Sequence, residues 1–374
     1  MNATTGIWRR FFAEERDAYV LGLLRLAISA LLFFNLLRTA LEFDRDGFFG
    51  DYFHMPMISE AWVPSRAGYQ LLLGVQGLAS LLAFVGFWPR EALLVASSTG
   101  LYLLTCDRLQ YHNNRYTLLL LGFLLSFMPC DRSFLITRGR FHTLPHGQRI
   151  APTFARRLFQ IQVSLVYLGS TSGKLIDADW RSGQVLLMRF AKAPEICAQH
   201  GLILPAWMIA LLGSAWFASL AAKAAITNEL LIAFGVWQPR TRRVALWLGV
   251  GFHFWIELTA NVELFSWVMA ASYFAFVTPE IRERRFEYAP SQTRAAAMAR
   301  FVALADWCAR FERTPLRPSA THSAPFYVTN REGRRATGVL GLSQLAEAIP
   351  LLFPLWPLLA LYAKFTTKAR ARPA

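Results

Sequence analysis

The stretch YVLGLLRLAISALLFFNLLRT, Tyr19 to Thr39, decides the fold class. Apart from Arg25 and Arg38 it carries no charge, and as a helix it would cover about 30 Å, the thickness of a bilayer's hydrocarbon core. Two further runs, Gln70 to Trp88 and Val244 to Ala260, repeat the pattern. Several such runs cannot share one soluble core. The whole chain agrees, with 55% hydrophobic and 17% charged residues, against roughly a quarter charged in soluble domains. The sequence therefore predicts an all-α, polytopic transmembrane helical bundle.

Outward from this run, apolar segments place spans at about 18 to 40, 70 to 88, 91 to 106, 116 to 129, 158 to 175, 202 to 237, 244 to 260 and 263 to 278. The 202 to 237 stretch holds Pro205, Gly213, Lys223, Asn228 and Glu229, so it is expected to be a broken pair with one net crossing. Loop charge sets the orientation. Asp131 to Arg157 contains Arg132, Arg138, Arg140, Arg149, Arg156 and Arg157 and is expected inside, with the basic Gln238 to Arg243 and Arg282 to Arg285. Leu41 to Tyr69 carries Glu42, Asp44, Asp46, Asp51 and Glu60 and is expected outside. About eight spans with both termini cytoplasmic follow. The net charge of +15 belongs to this loop asymmetry; no nucleic-acid partner is expected.

Three regions are anticipated: a polar cytoplasmic segment 1–17, a transmembrane domain 18–280, and a basic cytoplasmic tail 281–374 with a C-terminal apolar segment. Met1 to Asp17 does not read as a cleaved signal, so the first run is expected to be retained. Leu342 to Phe365 is broken by Pro350, Pro354 and Pro357, which favours an interfacial or short buried helix over a crossing. The cysteines Cys106, Cys130, Cys197 and Cys308 form no C-x-x-C pair or zinc spacing, and no metal is expected. The topology puts Cys106 and Cys197 on the outer side.

Polar residues at membrane depth are costly and so point to function or to helix packing. Asp107 to Tyr116, expected at the outer face, gathers Tyr111, His112, Asn113, Asn114 and Tyr116; it reads either as an interfacial loop with aromatic anchors or as the polar wall of a ligand pocket. Leu168 to Trp180 contains Lys174, Asp177, Asp179 and Trp180. Lys174 is either a snorkelling cation paired with Asp177 or, if desolvated, an amine base. His253 and Glu257 lie four apart on one helix, either a structural pair or part of a substrate site. Arg25 could supply a counter-charge there.

These clusters, in this order, resemble the HTTM family, whose best-understood members are the vitamin K-dependent gamma-carboxylases. The resemblance spans roughly 18 to 280. It is carried by Phe159, Gln160, Ile161, Gln162 and Val163 through Tyr167, then Gly173-Lys174-Leu175, Asp177-Ala178-Asp179-Trp180 and Gly183, and later by Phe252-His253 and Leu264 to Met269. It implies that Lys174 is the base that deprotonates a reduced, vitamin K-like quinone. Oxygen then converts the hydroquinone to an alkoxide that removes a glutamate γ-proton, and the carbanion captures carbon dioxide. The family's usual N-H-x-Y is here Asn113-Asn114-Arg115-Tyr116, which puts Asn114 at the histidine position and His112 two residues earlier. Nothing in the sequence corresponds to the large lumenal region with which the animal enzymes grip a protein substrate. The segment from about Tyr327 to Leu361 resembles the C-terminal half of thiol-disulfide oxidoreductase domains without their cysteine pair.

Lyase chemistry is thus expected with Lys174, His112 and Asn114 as catalytic residues, and with Asn113, Tyr111, Tyr116, Asp177, Asp179, Trp180, His253 and Glu257 around the substrate. The implied partners are the lipid bilayer and a lipid-soluble quinone or peptide. The location expected is a bacterial inner membrane. Two other classes stay open: a non-catalytic membrane protein serving immunity, export or lipid binding, and a transporter, whose midplane charges would be Arg25, His253 and Glu257.

Overall fold

A computed structural model of the chain describes residues 6, 8, 11–46, 55–109, 111–137, 139–260, 262, 264–316 and 324–370. The chain is mostly helical and divides into two compact units, Met1–Val277 and Thr278–Ala374.

The first unit begins with β1 (Glu15–Asp17) and α1 (Tyr19–Asp46). Leu21, Leu24, Ile28 and Leu32 recur every three or four residues along α1, and all are buried, as one face of a 3.6-residue helix requires. α2 (Arg66–Val85), α3 (Pro89–Thr105) and α4 (Asn113–Ser126) pack in sequence beside it. Small residues set their spacing. A Cβ on Gly100 would lie 2.3 Å from Leu119 Cδ2, and one on Gly122 would lie 2.5 Å from Ser97 Oγ, so both glycines let neighbouring helices approach closely. Gly86 ends α2 at φ 82°. A side chain there would also strike the Arg25 guanidinium.

Three further short strands shape the connection after α4: β2 (Leu135–Thr137) pairs antiparallel with β3 (Arg140–His142), and β4 (Ile150–Pro152) pairs antiparallel with β1. Asp17 is buried there, with Arg149 Nε and Nη2 donating to its two oxygens at 3.0 and 2.9 Å. Arg25 is not the counter-charge of a bundle carboxylate. It donates to Phe134 O at 2.6 Å in this same connection.

α5 (Phe154–Ile176) follows, then three short helices, α6 (Ala178–Ser182), α7 (Gln184–Phe190) and α8 (Ala193–Gln199). The 202 to 237 stretch is broken as its sequence suggests, into α9 (Ala206–Leu212) and α10 (Ala215–Gly235). The break comes at Gly213–Ser214, whereas Lys223, Asn228 and Glu229 lie within an uninterrupted helix. α11 (Arg242–Ala260), α12 (Phe265–Ser272) and a 3-10 turn, Tyr273–Phe276, complete the unit.

Among the described residues, three helices are long and apolar enough to cross a membrane: Tyr19–Ala40, Arg66–Val85 and Ala215–Gly235. Their outward faces hold large bare side chains such as Phe34, Leu71, Leu78 and Trp216, the reverse of a soluble surface.

The second unit departs from the all-α expectation and from the picture of a tail. It contains a four-stranded mixed sheet in the order β6-β5-β7-β8, from β5 (Arg284–Tyr288), β6 (Phe311–Pro315), β7 (Phe326–Thr329) and β8 (Arg335–Ala336). β5 runs parallel to β6, joined through α13 (Thr293–Ala305), and antiparallel to β7. α14 (Gly338–Ala348) and α15 (Trp356–Arg370) follow. Phe286, Val302, Phe311, Val328, Leu345 and Ile349 form its core. The strands are two to five residues long, too short for alternation to stand out among the surrounding arginines and prolines.

Candidate functional site

Tyr167, Ser170, Thr171 and Lys174 occur at i, i+3, i+4 and i+7 of α5, which aligns them on one helical face. α10 contributes Glu229 to this face. Lys174 Nζ pairs with Glu229 Oε1 and donates to Ser170 Oγ at 2.7 Å. Ser170 Oγ and Thr171 Oγ1 donate to the two Glu229 oxygens at 3.0 and 3.1 Å. The side chains of Lys174 and Glu229 are only 12% and 5% exposed, so each charge depends on the other for compensation. The ammonium also sits 5.0 Å from the centre of the Trp180 ring, within cation–π range.

The expected Lys174–Asp177 pair is therefore replaced by Lys174–Glu229. Asp177 instead caps α6, accepting from Asp179 N at 2.8 Å and Trp180 N at 3.4 Å. Its turn puts Trp180 beneath the lysine. Gly183 closes α6 at φ 90° and lies against the α10 backbone, where a Cβ would meet Ser219 N at 2.5 Å. Only glycine fits both the backbone angle and the contact.

One turn below Ser170, Tyr167 is fully buried. Its hydroxyl contacts His253 Nε2 at 2.7 Å and the Tyr273 hydroxyl. His253 thus pairs across to α5 and not along its own helix to Glu257. Among the described residues, His253 Nδ1 and Glu257 Oε2 are both buried without a hydrogen-bond partner, one helical turn apart on α11. Such atoms are costly unless water or a ligand satisfies them.

The 111 to 116 stretch starts α4. His112 is extended, at φ −135°, and is the N-cap, its Nδ1 accepting from Asn114 N at 3.3 Å. It therefore stands just before the helix that begins at Asn113 and holds Asn114 in its first turn. Asn114 donates from Nδ2 to Val262 O at 2.9 Å, tying α4 to the α11–α12 connection. The Tyr111 and Tyr116 rings lie 6.1 Å apart, and partial burial raises the Tyr111 phenol above its ordinary value. Asn113 is exposed at the helix start. No hydrogen bond or ring contact among the described residues joins this stretch to Lys174. A small cavity of about 40 Å³ lies between α1, α2, α3 and α4, lined in part by Asn35, Tyr69, Gln76 and Arg115.

Glu229, Tyr167 and Tyr273 were not singled out from the sequence as members of the site. A signal existed for Glu229, an isolated carboxylate inside an apolar helix, and for Tyr167 in its heptad spacing to Lys174. All four cysteines are buried and unpaired, with Cys197 Sγ directed at Leu258 O, so a thiol reagent cannot report orientation without opening the fold.

The family model of the HTTM domain matches residues 13–280. The chain belongs to the HTTM family. The matched residues include Lys174, Glu229, the 111 to 116 stretch and the tyrosine–histidine cluster, and the family is linked to vitamin K-dependent carboxylase. No curated protein and no solved structure matches the chain.

Proposed function

We propose that this HTTM protein is a multi-pass membrane enzyme of about eight spans, in a bacterial inner membrane with both termini inside. Its Lys174–Glu229 pair would withdraw a proton from a lipid-soluble hydroxyl compound such as a reduced quinone. The carrying observation is that Lys174, in the sequence block that carries the family resemblance, makes a buried contact with Glu229. An ammonium is no base, so Lys174 must first lose its proton. Glu229 is the acceptor in contact with it, and transfer gives a neutral amine beside a carboxylic acid. The amine then takes the hydroxyl proton of the substrate, returning to an ammonium beside the new oxyanion.

A hydroquinone supplies the weakly acidic hydroxyl, and the residues offer it suitable polar contacts. His253 Nδ1 and Glu257 Oε2 are unpartnered, and Trp180 provides an aromatic wall. Tyr111, His112, Asn113 and Tyr116 would border the outer entrance, with Asp177 and Asp179 beyond Trp180. Carboxylase-like use of the oxyanion, on a glutamate-containing peptide, is the family's precedent. In reconstituted protein given reduced quinone, oxygen, bicarbonate and such a peptide, quinone epoxide and fixed carbon dioxide are expected. Lys174→Ala should lose both by at least a hundredfold, as removal of a general base does. No epoxide, or equal product from Lys174→Ala, rejects the proposal.

A second reading rests on the completeness of the lysine's partners. Glu229, Ser170 and Trp180 all engage Lys174, so the pair also serves as a clamp between α5 and α10. In a non-catalytic membrane protein, replacing both members together by apolar residues would leave the cellular phenotype intact.

A further inference from the structure

The second unit carries one face that its own core does not cover. Pro350–Leu355 is a 3-10 segment that leads directly into α15. Along it Leu351, Leu355, Leu358, Leu361, Tyr362 and Phe365 are each 52% or more exposed. Within α15, Leu358, Leu361, Tyr362 and Phe365 stand at i, i+3, i+4 and i+7 and so share one stripe. Ala363 on the other side is only 2% exposed. The element is thus anchored on one side and bare on the other, with more apolar surface than a soluble face normally leaves uncovered.

Length and charge identify what covers it. The apolar part, Pro350–Phe365, reaches about 24 Å as a helix, short of the roughly 30 Å hydrocarbon core. Pro350, Pro354 and Pro357 also withhold backbone donors that a span needs. After Glu347 no acidic residue occurs, whereas Lys364, Lys368, Arg370 and Arg372 follow. A second copy of the same face would bring two basic, acid-free segments together, which repel. An anionic lipid surface attracts them, each cation near it adding to the binding. The same chain carries a membrane domain, so the bilayer is held close at high effective concentration.

We propose that Pro350–Phe365 lies in the plane of the bilayer interface, with Leu355, Leu358, Leu361 and Phe365 in the acyl boundary and Lys364 among anionic headgroups. The second unit is thereby a membrane-surface module. This inference is independent of any chemistry at Lys174.

The full chain, reconstituted in nanodiscs, tests it with a polarity-sensitive fluorophore on Leu358→Cys. In discs containing anionic phosphatidylglycerol, quenching by a shallow lipid-borne quencher and protection from aqueous iodide are expected. Phosphatidylcholine discs should reduce the lipid quenching at least twofold. Iodide quenching without lipid quenching would mean a face in water. Resistance to both quenchers would mean a cover of protein, from this chain or a second copy. Equal quenching in the two lipids would remove the role of charge, and each of these three results overturns the proposal.

Discussion

Replacing Glu229 by leucine isolates the central pair. Lys174 would keep Ser170 and the Trp180 face but lose the carboxylate it pairs with, at a position 12% exposed. Breaking a buried pair from one side costs about 3–5 kcal/mol. The retained partners put Glu229→Leu near the lower end, about 3 kcal/mol. Lys174→Met should cost a similar amount, because it strands a carboxylate held only by Ser170 and Thr171. The double variant replaces both charges with packed apolar groups and should return to within about 1 kcal/mol of the parent. Detergent-induced unfolding, followed by tryptophan fluorescence, gives the four free energies of a double-mutant cycle. A coupling above about 2 kcal/mol is expected. Single losses below about 1 kcal/mol that simply add in the double variant are the behaviour of an exposed ion pair, and would refute the assignment of Glu229 as the buried partner of Lys174.

Gly183→Ala should destabilise the first unit severely, because the new Cβ would meet the α10 backbone at 2.5 Å in a left-handed conformation; Gly173→Ala, with nothing within 4 Å of its Cβ, should be neutral or slightly stabilising, and equal melting temperatures for the two variants would contradict the α6–α10 contact. In the second unit, burial alone would raise Glu280, but Arg310, Arg284 and Arg331 outweigh it and hold the carboxyl below its ordinary value. A depressed folded value means that this stabilisation is present above the unfolded carboxylate pKa of about 4.3 and disappears as pH falls through the lower folded one. Acid unfolding of Glu280→Gln, measured by circular dichroism, should therefore start from lower stability at neutral pH and show a shallower loss below about pH 4; a profile parallel to the parent's would exclude Glu280 as a source of acid sensitivity.

Much of the protein is legible from local sequence. Hydropathy is a property of each segment, so Tyr19–Thr39 announced α1, and Pro205 with Gly213 announced a break that falls at Gly213–Ser214. The block around Lys174 announced the family. The strands of the second unit were hidden, because each is short and edge charges such as Arg285, Glu312 and Arg335 interrupt the apolar pattern. His253 was readable as a costly buried group, yet its nearest carboxylate along the helix, Glu257, is not its partner.

The sequence by itself determined the membrane character and the helix-rich first unit, which follow from residue type and spacing within each segment, and it carried the resemblance to the family. Tertiary structure alone decided that Lys174 meets Glu229, 55 residues away, and that Tyr167 links His253 to Tyr273. A buried charge must find compensation wherever packing brings an opposite charge within reach, and sequence distance does not limit that reach. For the same reason Asp177, three residues from the lysine, is left to cap α6.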